Sequence, residues 1–207
     1  MIHHPEPEES ILSVACFSAP LAVVQRKVHE ILTGNSAENT FRWTRGPVDF
    51  SRVLGGRPRA GGSGPRRLMI FEPAGMAAHS AMVTNLRDGW STLVNILAGH
   101  ISGTHFLVRS EPAGEYPATS LEVWRDGASV RRVHAMREEG GWVFFQQGEP
   151  LAFEDTESYS RRRIRDRFNK SLALETMGRA GWPLSTPDLW RSDSLAWYAE
   201  ELDQHTS

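Results

Sequence analysis

The stretch from Arg161 to Lys170, RRRIRDRFNK, holds the densest cationic chemistry in the chain. Read as a helix, it places Ile164, Phe168 and Leu172 on one apolar stripe. Arg161 and Arg165 then fall on the same row, at i and i+4, with Phe168 and Leu172 at i+7 and i+11. A guanidinium turned toward a core face needs an anion, because an unpaired buried charge is strongly unfavourable. Two chemistries meet that need. One is an internal ion pair with Glu72, Glu122 or Glu154; the other is an anion-binding cleft formed by Arg161 and Arg165. On the same wheel Arg162, Arg163, Arg167 and Lys170 point to solvent. With Phe168 the only aromatic among them and an acidic run at 149–157 just before, nucleic-acid binding is disfavoured.

A second group of arginines lies in LGGRPRAGGSGPRR, from Leu54 to Arg67. Neither the GxxxxGK nor the GxGxxG order is present, so a phosphate loop is excluded on spacing. The composition predicts a flexible loop at 54–66. The alternative is a basic flap in which Arg57, Arg59, Arg66 and Arg67 close on an anion, since guanidinium groups fork onto phosphate or carboxylate.

The remaining reactive residues form no recognisable constellation. His100 and His105 are five apart, without the i, i+4 spacing of a helical metal pair, and His29 has no partner at ligand spacing. His79-Ser80 and His134 could join Ser91 or Ser120 as base and nucleophile only through tertiary structure, and no GxSxG, HExxH or paired-carboxylate motif is present. Cys16 is the sole cysteine, which excludes an intramolecular disulfide and a cysteine-based zinc site. No catalytic residue, metal ligand or cofactor is assigned. Trp182, Trp190 and Trp197 fall close together late in the chain. They are partner-binding candidates, because tryptophan is enriched at interface hot spots, with core packing as the alternative.

The elements that must position these residues follow from periodicity. An apolar strand at 11–17 precedes a helix capped by Ser18 and running to Leu32, with the stripe Leu21, Val24, Val28 and Leu32. Strands follow at 40–45 and 67–73. The segment 81–110 reads as strand, helix, strand. Its helix is capped at Asn85 with Asp88 three positions on, carries Leu86, Trp90, Leu93, Val94, Leu97 and Ile101, and breaks at Gly103. Asp126-Gly127 predicts a two-residue hairpin in which Val123 faces Val130 and Glu122 faces Arg131. Gly140-Gly141 turns into the apolar strand WVFFQQ. A long helix is expected from about Thr156 to Ala180, ended by Gly181 and Pro183, and a final helix from about Asp193 to Leu202.

The order β-α-β-β, then β-α-β-β-β-β, then α-α predicts an α+β fold. Its sheet would be mixed or mainly antiparallel with about six to eight strands, two helices from the β-α-β-β blocks and two C-terminal helices. A mobile tail at 1–10 and a single domain over 11–207 suit the length. The 40% hydrophobic and 23% charged content and net charge of −2 are ordinary, and nothing global points to nucleic acid or a membrane. The acidic N-terminus lacks the order of a signal peptide, which predicts a cytoplasmic protein. Only Lys27 and Lys170 are lysines, a bias toward arginine that suggests a GC-rich bacterial genome. The leading expectation is an intracellular, non-catalytic protein that binds a protein partner, of immunity or accessory type. The alternative is a small-molecule enzyme or anion-binding protein using Arg161 and Arg165.

Overall fold

The computed structural model describes residues 12–34, 41–55, 64–111, 113 and 115–202. The tail at 1–10, together with Arg57 and Arg59, lies outside the described residues. Nine strands form one sheet: β1 (Leu12–Phe17), β2 (Phe41–Gly46), β3 (Arg67–Phe71), β4 (Ser80–Thr84), β5 (Thr104–Glu111), β6 (Ala118–Arg125), β7 (Ala128–Glu138), β8 (Gly141–Gln147) and β9 (Ala196–Glu201). Their order is β2-β9-β3-β4-β1-β5-β6-β7-β8, with every pair antiparallel. The fold is thus α+β, and its sheet is larger than the six to eight strands expected from the sequence.

The additional strand comes from the C-terminus. Ala196–Glu201 forms β9 rather than a helix, inserted between β2 and β3. Alanine and glutamate favour a helix locally, but two open strand edges and opposed arginines override that weak preference. Glu200 pairs with both Arg42 and Arg67, while Glu201 takes a forked pair from Arg66.

Alternation along the strands divides the core into two layers. On one face Ala15, Phe17, Leu68, Ile70, Met82 and Leu107 pack under α1 (Leu21–Gly34) and α3 (Ser91–His100). On the other, Cys16, Met69, Phe71, Val108, Leu121 and Val133 pack under α2 (Ser51–Leu54), α4 (Lys170–Arg179) and the segment holding Trp182 and Leu189. Val24 and Val28 of the α1 stripe are fully buried.

The α3 helix starts later than its periodicity implies. Gly89 and Trp90 both adopt left-handed backbone, which turns the chain before Ser91. A side chain at Gly89 would meet Ser13 Oγ at 2.4 Å, so only glycine passes there. Asn85 does not cap α3: it accepts from Arg67 N and donates to Pro65 O. Trp90 is the N-cap residue, and Asp88 braces the turn before it, accepting from Trp90 N at 3.1 Å and Ser91 Oγ at 3.0 Å. Leu93, Val94 and Leu97 are buried as their spacing requires.

The long helix expected over 156–180 is instead three pieces. Short 3-10 turns at Thr156–Ser160 and Ile164–Asp166 precede α4. Arg161 and Arg163 adopt extended backbone between them, and Asn169 caps α4 by accepting from Leu172 N at 3.1 Å. Asn169 is therefore the N-cap, in place of Asp155 or Thr156. Gly181, at φ +91°, ends α4 as its position implies.

Candidate functional site

The β6–β7 hairpin shapes the far end of the sheet. Asp126 and Gly127 both take positive φ, as a type I′ turn requires, and Arg125 opposes Ala128. Beyond that point the register shifts. Trp124 opposes Ser129 but Val123 opposes Arg131, so Val130 is an extra residue in the strand. The pairings expected from the sequence, Val123 with Val130 and Glu122 with Arg131, are each displaced by one: Glu122 faces Arg132.

That bulge turns Arg131 into the core. Its side chain is 1% exposed, and that of its partner Glu154 is 0% exposed. Arg131 Nε lies 2.9 and 3.0 Å from the two Glu154 oxygens, and Nη2 donates to Glu154 Oε2 at 2.8 Å and Gln146 Oε1 at 2.9 Å. Nη1 donates to Gly148 O at 2.6 Å. Glu154 also accepts from Tyr159 Oη at 2.6 Å and Leu151 N at 2.8 Å. Burial works against the Arg131 charge, but the Glu154 carboxylate outweighs it and holds the guanidinium ionised. The buried arginine that needs a carboxylate is thus Arg131. It ties β7, β8 and the 148–159 segment together.

Arg161 and Arg165 occupy different positions from those of a shared helical row. Arg161 Nη1 donates to Asp166 O at 3.1 Å, and Arg165, 57% exposed, lies 3.7 Å from Asp166. Arg66 is drawn into the core edge, its guanidinium over Trp90 and Phe41 and its fork on Glu201. Those hydrogen bonds hold Glu201 below the usual carboxylate range. Trp182 is buried with His79 edge-on to it. Trp190 is half-buried between Phe50 and Phe71, and its Nε1 donates to Leu184 O at 2.9 Å. Trp197 is half-buried on β9, with Trp43 edge-on and Arg45 above it. The three tryptophans form no common surface.

Among the described residues one part of the sheet has no covering layer. On the face that α1 and α3 cover elsewhere, the helical layer ends at Trp124, whose Nε1 donates to Asn95 of α3 at 3.1 Å. Past it, alternation brings Ser120, Glu122, Arg132, His134, Met136, Val143 and Phe145 to the same uncovered face. Phe145 is 42% exposed and Val143 38%, and Phe145 stacks on His134 at 4.8 Å. Burial and the Arg109 charge hold the His134 pKa below its ordinary value. Arg109 donates to Ser120 Oγ at 3.0 Å and to Glu122 at 2.7 Å. A cavity of about 140 Å³ lies beside it, lined by Arg87, Arg109, Glu111, Ser120, His134 and Met136 among others.

This open face ends at β8, which pairs with β7 on one side and with no described strand on the other. The seven residues GWVFFQQ contain no charge and no proline. Edges are ordinarily guarded by charge, bulges or proline. The opposite edge, β2, carries Arg42 and Arg45 and is guarded in that way. The apolar density of WVFFQQ is that of an interior strand, and the missing neighbour is not visible in a hydropathy pattern.

Among the described residues no helix is long and apolar enough to cross a membrane, and no three His, Cys, Asp or Glu side chains group as metal ligands would. No protein-family model matches the chain, and neither curated proteins nor solved structures give a match to it.

Proposed function

We propose that this chain is an intracellular accessory protein that works by binding another protein, and that it takes an extended segment of its partner along β8. The observation that carries the reading is the uncharged seven-residue edge strand bordered by exposed Val143 and Phe145. A strand added at such an edge gains main-chain hydrogen bonds, and its alternate side chains find pockets on the sheet face. Here those side chains would meet Val143, Phe145 and Met136, with Arg109 and His134 beyond them. Large apolar groups left exposed beside an unpaired edge are a liability unless something covers them. The buried Arg131–Glu154 pair keeps β8 seated on β7, so the edge is presented as a rigid template.

The test compares the wild type with a Val143→Lys/Phe145→Lys variant. Both side chains are exposed, so the fold survives the change. Partners are captured from the native host, and amide hydrogen exchange is followed along β8 in the complex. A captured partner should be lost at least tenfold in the variant, with new protection confined to β8 and the residues around it. Undiminished capture by the variant, or protection appearing elsewhere, refutes the proposal. A dimer of this chain that the variant abolishes would replace the foreign segment with a second copy as the occupant.

A further inference from the structure

At the other end of the sheet, independent of β8, Arg42, Arg52 and Arg67 converge on a second cavity. Its volume is about 190 Å³, and Thr44, Val53, Leu68, Tyr198, Ala199 and Glu200 complete its walls. Antiparallel register explains the convergence. Arg42 opposes Glu200 on β9, Arg67 opposes Glu200 from β3, and Thr44 opposes Tyr198, so all five residues fall on one face of three adjacent strands. α2 then lays Arg52 across the Tyr198 ring, with its guanidinium carbon 3.8 Å from the ring centre.

The charges do not balance within the cavity. Glu200 is shared, accepting from Arg42 Nη2 at 2.5 Å and from Arg67 Nε at 2.8 Å. Arg52 has no carboxylate within ion-pairing distance among the described residues. It donates one Nη2 bond to Thr44 Oγ1 at 3.0 Å and otherwise rests on the aromatic ring. Among the lining side chains three guanidinium groups face one carboxylate; the Asp49 carboxylate, held low by its Ser51 hydrogen bonds and in part by the Arg52 charge, stands outside the lining, so the opening stays net positive. Tyr198 is in turn fixed from behind, donating to Pro47 O and accepting from Asp49 N at 2.8 Å. Tyr198 is thus a fixed floor, and the exposed Arg52 guanidinium rests on it with Thr44 Oγ1 as its hydrogen-bond acceptor.

We infer that this cavity is a binding site for a phosphate monoester or free phosphate, held by Arg42, Arg52 and Arg67 with the Thr44 hydroxyl. A phosphate monoester carries about −1.5 to −2 charge near neutral pH and three acceptor oxygens, enough to engage all three guanidinium groups at once, whereas a carboxylate supplies one charge and two oxygens. Its oxygens accept in the geometry that guanidinium forks donate, and each arginine here spends only part of its five donors inside the protein. The cavity is also open enough for the organic part of an ester to remain outside.

The experiment titrates the full chain at low ionic strength with inorganic phosphate, a sugar phosphate and acetate, following amide and guanidinium resonances. Saturable shifts at Thr44, Arg52 and Tyr198 are expected with both phosphates, at a dissociation constant of about 1 mM or tighter, and not with acetate. Arg52→Ala should weaken binding at least tenfold, Arg52→Lys should weaken it less, and Arg26→Ala, remote on α1, should leave it unchanged. Tighter binding of the sugar phosphate assigns the site to an ester, and equal binding assigns it to phosphate itself. If Arg52→Ala does not fold, Thr44→Val carries the same expectation of weaker binding. The inference fails if neither phosphate saturates, if acetate binds equally, if a short oligonucleotide binds where the monoester does not, or if folded Arg52 or Thr44 variants bind like the wild type.

Discussion

Glu154→Gln tests whether the ion pair with Arg131 holds the β7–β8 end together. The change keeps the shape of the side chain and removes its charge. Glu154 receives donors on both oxygens: Arg131 Nε and Leu151 N on Oε1, Arg131 Nη2 and Tyr159 Oη on Oε2. An amide nitrogen at either position sets donor against donor. The Arg131 charge is left in a site where its side chain is 1% exposed. Breaking a buried pair from one side costs about 3–5 kcal/mol. For a chain of this length each kcal/mol moves the thermal midpoint by roughly 2–4 °C, so the drop should be about 6–20 °C. Urea and thermal unfolding measure it, with Glu157→Gln, an exposed neighbour, expected to stay within about 0.5 kcal/mol of the wild type. A Glu154→Gln loss below about 1 kcal/mol would refute the reasoning, because it would mean that water or relaxation already screens the pair. An Arg131→Met/Glu154→Leu double variant refines the point. Hydrophobic replacement of a buried pair is often neutral, but here Gly148 O, Leu151 N and Tyr159 Oη would lose their partners. It should therefore recover only part of the loss.

Acid should destabilise the fold through His105. Its ring is fully buried, with Nε2 2.7 Å from Ile101 O and no partner at Nδ1 among the described residues, and burial holds its pKa below the ordinary value. The folded value is depressed, so the unfolded chain binds the proton more readily. The contribution is complete above the unfolded value of about 6.5 and is lost as pH falls through the folded value. Stability measured by urea unfolding should decline as pH drops below about 6.5, and His105→Gln should shallow that decline without removing it, because His134 is shifted the same way. An unchanged slope in the variant would count against His105. Gly148→Ala should also destabilise. Gly148 has φ +81°, and a Cβ there would lie 2.0 Å from Val130 O. Gly75, at φ +71° with open space around it, supplies the control for left-handed strain alone, about 1–2 kcal/mol. Gly148→Ala should cost clearly more than Gly75→Ala in the same unfolding assay, and equal losses would show that the bulge yields.

The elements with local causes were legible in the sequence. The buried face of α3, the Asp126-Gly127 turn and the stop at Gly181 each rest on residues within a few positions of one another. What could not be read locally is what distant chain decides. Arg131 looks outward in a hairpin of ideal register, and the extra residue at Val130 turns it inward. The Gly148 backbone lies against that bulge and supplies a carbonyl to Arg131, yet it is 17 positions away. The Glu200 and Glu201 partners lie 133 to 158 positions away, which is why a segment with helical composition becomes a strand.

Charge balance in space separates the arginines of this chain into two kinds. Density of arginine, as at 161–167, signals cations that the solvent accommodates, and Arg165 is indeed largely exposed. What distinguishes a cation with chemical work to do is an imbalance with its neighbours in space. Arg131 is balanced by Glu154 and Arg66 by Glu201, so both are structural. Arg42 and Arg67 share one carboxylate, and Arg52 is held by a hydroxyl and a ring. Of these last three only Arg67 stands in an arginine-rich run; nothing in the sequence marks Arg42 and Arg52, because β2, α2 and β3 each contribute one. Antiparallel pairing of β2 and β3 on either side of β9 is what gathers them. The C-terminal strand is therefore a condition of the phosphate site as well as of the sheet: without Tyr198 and Glu200, the three guanidinium groups would have neither a floor nor a shared anchor.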